Sequence, residues 1–77
     1  MSRFFFDLCQ DDAVIRPDDV GSELASSSDA IKEALVSLAE ATMDNVQYGT
    51  IAQKISIQIR DERSTQIAVV DAQFEGQ

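Results

Sequence analysis

Lys54-Ile55-Ser56-Ile57-Gln58-Ile59-Arg60 alternates polar and apolar side chains without a break. A period of two marks a strand with one wet face and one dry face. Three isoleucines on the dry side need a cover, and the chain just before them supplies a helix. Ile31, Ala34, Leu35, Leu38 and Thr42 recur at helical spacing and define one apolar stripe. Glu33, Ser37, Glu40 and Asp44 fall on the solvated side. Ser26 is the expected N-cap, with Asp29 three residues on as the acid of a short capping box. Gly49 can take the left-handed conformation that closes a helix, so the helix is predicted over roughly residues 27–47.

Strands extend outward from this pair. Asp61-Glu62-Arg63-Ser64 is a turn, and Thr65 to Phe74 is a further strand. Ala68, Val70, Ala72 and Phe74 share one face of it, and Ile67, Val69, Asp71 and Gln73 the other. At the start of the chain Phe4, Phe6 and Leu8 alternate with Phe5, Asp7 and Cys9 across Arg3 to Cys9. Gln10-Asp11-Asp12 turns the chain, and Ala13 to Arg16 returns as a short strand that Pro17 ends. Asp18 to Leu24, with Gly21, reads as a loop.

The order β-β-α-β-β predicts an α+β domain over residues 1–77, an antiparallel or mixed four-stranded sheet with one helix packed on one face. Its core is expected at Phe4, Phe6, Leu8, Ile31, Leu35, Leu38, Ile55, Ile57, Ile59, Val70 and Phe74. The order of strands stays open. A single helix covers one face only, which leaves Phe5, Cys9, Ile67 and Val69 beside Asp7, Lys54, Gln58 and Arg60 on the other. That face is more apolar than an isolated domain needs.

Composition narrows the chemistry. The 77 residues hold 14 acids against 6 bases, a net charge of −8, with no His and one Cys. Without His there is no side chain that titrates near neutrality unperturbed, and no Ser-His or Cys-His dyad. One Cys closes no internal disulfide and builds no thiolate cage for zinc. Clustered Lys and Arg, which a nucleic-acid surface requires, are missing, so direct nucleic-acid binding is not expected. The same holds for anionic membranes, and no apolar run approaches the ~20 residues of a membrane span. A cytoplasmic location follows as the expectation from the lone Cys and the lack of a signal-like start.

The motifs also resemble a known family. Arg3-Phe4-Phe5-Phe6-Asp7, then Asp18, Gly21, Glu23 and Leu24, then Glu33-Ala34-Leu35 and Leu38-Ala39-Glu40, then Ile59-Arg60-Asp61-Glu62 follow one another in order. This ordered set resembles a family of short bacterial proteins known only as a domain of unknown function. The resemblance implies the same small fold and brings no reaction, cofactor or partner with it. Family members usually have Gly in the first hairpin turn and often in the last. Here Asp11 and Ser64 stand there, so both turns are expected to differ in type.

Among charged residues, Asp7, Arg60, Asp61 and Glu62 match the family best. Their structural reading pairs Asp7 with Arg60 across neighbouring strands and gives Asp61 and Glu62 to the turn. Asp11, Asp12, Asp18, Asp19 and Glu23 are rich in oxygen, but their spacing fails the calcium-loop pattern, so no metal and no cofactor is expected. Cys9, flanked by Asp7 and Asp11, reads as a passive, half-buried thiol.

No catalytic set emerges, and the chain is read as a non-enzyme. The leading function is a protein-interaction or self-associating module, as a homodimer or bound to another protein. Phe5, Ile67 and Val69 are the expected anchors on the open sheet face, with Val36 and Met43 on the flank of the helix. The alternative is an acidic inhibitor that mimics nucleic acid and occupies a basic groove of another protein.

Overall fold

The computed structural model describes residues 1–47 and 53–73. Strands β1 (Ser2–Gln10), β2 (Ala13–Arg16) and β3 (Ser22–Leu24) precede helix α1 (Ser27–Gln47), and strands β4 (Lys54–Arg60) and β5 (Gln66–Gln73) follow it. The α+β architecture agrees with the element order read from the sequence. All pairings are antiparallel, and the order β2-β1-β4-β5 places β1 and β4 at the centre. Gly49, the expected helix stop, and Phe74, an expected core residue, lie outside the described residues.

The sheet has five strands where four were expected. The extra one, β3, lies in the segment that reads as a loop in the sequence. Leu24, Glu23 and Ser22 pair with Ser2, Arg3 and Phe4, while Ala13, Val14 and Arg16 pair with Gln10, Cys9 and Leu8. Both short strands therefore run antiparallel to β1, one at each end. Four steps along β1, from Leu8 to Phe4, are matched by six on the returning chain, from Arg16 to Ser22. Pro17 has no N–H to give a ladder, so the returning chain leaves the sheet there and rejoins it at Ser22.

Turn chemistry follows from the residues present. Asp11 and Asp12 both hold positive φ, 48° and 70°, the pairing a two-residue type I′ hairpin requires. Asp is one of the few non-glycine residues that enter that region, and Asp11 is held there by a long-range contact: its Oδ1 accepts from the N–H groups of Gln53 and Lys54 at 2.9 and 3.0 Å. In the second hairpin the Ser64 N–H donates to Asp61 O, and Ser64 itself takes φ 64° before β5 begins. That is a type I turn followed by a left-handed residue, the common three-residue loop.

The helix caps as expected: Ser26 Oγ accepts from the Asp29 N–H at 3.2 Å. Its buried face does not match the expectation. Ala30, Ala34 and Leu38 pack against Phe4, Ile55, Ile57 and Ile59, with Phe6, Leu8, Ala41 and Val70 partly buried around them. Ile31 and Leu35, expected in the core, are exposed. The alanines explain the difference. A stripe of alanines lets the helix backbone lie close to three isoleucines, whereas Ile31 and Leu35 would hold it away.

Candidate functional site

The sheet face away from the helix is organised around Asp7. This side chain stands on β1 beside Phe5 and Cys9 and is only 6% exposed. Arg60, at the end of β4, reaches diagonally across: its Nε donates to Asp7 Oδ2 at 2.6 Å and its Nη2 to Asp7 Oδ1 at 3.1 Å. The same Nη2 donates to the carbonyl of Asp18 at 3.0 Å, and the Asp18 N–H donates to Asp7 Oδ1 at 2.9 Å. The guanidinium also lies over the Phe5 ring, 5.0 Å from its centroid.

Asp18 completes the arrangement. Its Oδ2 accepts from the Phe6 N–H at 3.1 Å, and its Oδ1 accepts from Val20 and Gly21 at 3.0 Å each. A carboxylate thus supplies the acceptor that the interrupted strand does not. Arg3 Nη1 donates to Val20 O at 2.9 Å and ties down the far side of the loop. Gly21, at φ +74°, has no room for a side chain: a Cβ would sit 2.9 Å from Arg3 Cγ, Phe4 O and Phe5 Cε1.

The electrostatics suit a structural pin. Arg60's hydrogen bond, set against the cost of burial, holds the Asp7 carboxyl below its ordinary value. Burial pushes Asp18 up, and the N–H groups of Gly21, Phe6 and Val20 outweigh it, so Asp18 also falls below the usual range. A carboxyl that is to donate a proton near neutrality must be held protonated. Here both are driven the same way, toward the carboxylate.

The other charged residues singled out in the sequence are separated. Asp61 Oδ1 accepts from the N–H groups of Arg63 and Thr65, which closes the β4–β5 turn, and Glu62 is exposed at its tip. Asp12 pairs with Lys54 at 2.6 Å and Glu23 with Arg3 at 3.4 Å. Asp11 and Asp12 thus engage Lys54, Asp18 the N–H groups of Phe6, Val20 and Gly21, and Glu23 Arg3, and among the described residues no cluster of three or more His, Cys, Asp or Glu has the arrangement of a metal site. Cys9 is fully buried, not half-buried, and burial pushes its thiol up, away from the reactive thiolate.

The expected interaction residues do not form one surface. Phe5 is not an open anchor: Arg60 covers its ring and Gly21 packs against it. Val69 stays exposed on β5 opposite Gln58. Ile67 is displaced by a register shift, since Ile59 pairs with Ala68 and Arg60 with Gln66, leaving Ile67 as the extra residue. It lines a shallow, open depression of about 410 Å³ with Phe4, Ser26 and Arg63, apart from Val69.

Val36 and Met43 do belong to a larger exposed surface. Ile31, Leu35, Val36 and Met43 are 37%, 51%, 57% and 67% exposed, and Ala39 between them is exposed as well. Ile31, Leu35, Ala39 and Met43 stand four residues apart and so form one ridge along α1. The signal was present in the sequence as a second apolar stripe, Ala30-Ala34-Leu38-Ala41, which covers the sheet and leaves the bulkier one outside.

No helix among the described residues is long and apolar enough to cross a membrane. Neither the curated proteins nor the solved structures contain a significant match to the chain. The profile of a domain of unknown function (DUF6894) matches residues 3–73, from the arginine before the phenylalanine run to the last residue of β5. The chain belongs to this family.

Proposed function

We propose that the protein is a small non-enzymatic interaction module of the cytoplasm whose contact surface is the outer face of α1. One observation carries this reading: four large apolar side chains, Ile31, Leu35, Val36 and Met43, stand in water on a single helix face. A small domain has little apolar surface to spare, and large apolar side chains gathered on one exposed helix face point to a contact site where scattered ones would not. On the opposite sheet face the Asp7–Arg60–Asp18 pin covers Phe5, and Val69 and Ile67 stand apart from one another, so the helix takes over the role expected of those three.

The test is the mass of the native assembly purified from its own cells, for wild type and for Leu35→Asp. The reading expects wild type in an assembly larger than one chain and the variant released from it while still folded. Bare monomers in both cases would sink it. The acidic-mimic alternative rests on the net charge of −8 and the acidic first half of the chain. It expects instead a basic nucleic-acid-binding partner lost steeply with added salt and indifferent to Leu35.

A further inference from the structure

We propose that the outer face of α1 binds a second copy of this chain, helix against antiparallel helix about a two-fold axis near Val36. The proposal rests on the reading of that face as a contact surface and adds the identity of its occupant. Beside the apolar ridge runs a second one, Lys32-Val36-Glu40-Asp44, all exposed. It carries a base at one end, Val36 in the middle and acids at the other end. Lys32 and Glu40 lie four residues on either side of Val36, roughly 6 Å along the axis each way.

A two-fold axis at Val36 therefore brings Lys32 of each copy onto Glu40 of the other, with Asp44 one turn beyond. A parallel arrangement would set Lys32 on Lys32 and Glu40 on Glu40. The charge pattern is thus complementary to itself in the antiparallel sense only. Ile31, Leu35, Ala39 and Met43 would interdigitate alongside, and Ala39 is small enough to admit the facing ridge.

Two further features favour this partner. The ion pairs among the described residues are Arg3–Glu23, Lys54–Asp12 and Arg60–Asp7, and Lys32 takes part in none. The C-terminal half of α1 carries Glu40 and Asp44 and has no base in its last turn, the wrong sign for the negative end of a helix dipole. Lys32 of an antiparallel neighbour adds positive charge beside Glu40 in that acidic half.

Sedimentation velocity on purified protein over a range of concentrations tests this with three variants. Lys32→Glu and Glu40→Lys should each weaken the dimer about tenfold, because both symmetry-related pairs turn repulsive. The double variant should restore it, since the pairs re-form with their signs exchanged. Glu40→Lys separates this from bulk repulsion: it moves the charge of each chain from −8 to −6, which alone would tighten the dimer. Circular dichroism checks that each variant is folded. A wild-type dimer that Glu40→Lys tightens or leaves unchanged overturns the proposal. So does a wild type that stays monomeric at every concentration. If such a monomer is nonetheless recovered from its own cells in a larger assembly that Leu35→Asp dissolves, the contact surface stands and only its occupant is wrong.

Discussion

The two faces of the sheet are stabilised by opposite means. On the helix side, Ala30, Ala34 and Leu38 close over Ile55, Ile57 and Ile59, and the contact is dry and non-directional. On the other side a single loop is held by directed bonds: Arg60 and the Asp18 N–H on Asp7, and three backbone N–H groups on Asp18. Area governs the first face, geometry the second. A packed face loses stability in proportion to the atoms removed, whereas a network of charges fails when one member goes.

The sharpest break of this contrast is Asp7→Ala. It leaves Arg60 facing a buried gap and frees the Asp18 N–H, and a partly buried pair of this kind should cost about 3 kcal/mol. A domain of this size has only about 4–12 kcal/mol in total, so urea unfolding should show a midpoint cut substantially. Leu38→Ala on the helix side should cost about 2–3 kcal/mol by loss of buried surface and cavity formation. Acid separates the two. Asp7 and Asp18 both ionise below the ordinary carboxylate value, so their contribution is complete above about pH 4–5 and drains away as pH falls further. Unfolding followed from pH 6 to pH 2 should therefore show a steep acid limb in wild type and in Leu38→Ala. The limb should be reduced in Asp7→Ala, which keeps only the share of Asp18.

Gly21→Ala should come next, at about 2 kcal/mol, from a left-handed backbone and the close approach of Phe4 O. A loss this large, measured by urea unfolding, would show that the loop is a stressed part of the pin and not a passive connector. Ser64→Gly should go the other way and raise stability by about 0.5 kcal/mol, because Gly relieves the positive φ at the β4–β5 turn. The smallest effect belongs to Leu35→Ser. In dilute, monomeric protein it should change stability by no more than about 0.5 kcal/mol, because the side chain stands in water. A large loss there would place Leu35 in the core after all.

Much of this was legible in the residues. The alternation at 54–60, the cap at Ser26 and the Asp-rich turns are local patterns, and each reappears in place. The buried face of α1 is not legible in the sequence because two apolar stripes compete for it. Counting hydrophobicity favours Ile31 and Leu35, while close packing against the isoleucines favours Ala30 and Ala34. The strand at Ser22–Leu24 leaves no mark in the sequence because its three residues carry no alternation of their own and exist as a strand only through β1. The separation of Ile67 from Val69 is likewise invisible in composition, because it comes from a register shift at Ile59/Arg60.

The sequence by itself therefore determined the kind of each long element and the chemistry of each turn, since period, capping and left-handed tolerance act over a few residues. Only the tertiary structure decided which stripe of α1 faces the sheet and that Asp18 stands in for a strand at Phe6. It also decided that Phe5 is covered while Leu35 is not. Those outcomes depend on groups 12 to 53 positions apart in the chain, from Phe6–Asp18 to Asp7–Arg60. Their contacts are set by how closely two surfaces approach, and no local pattern encodes that distance.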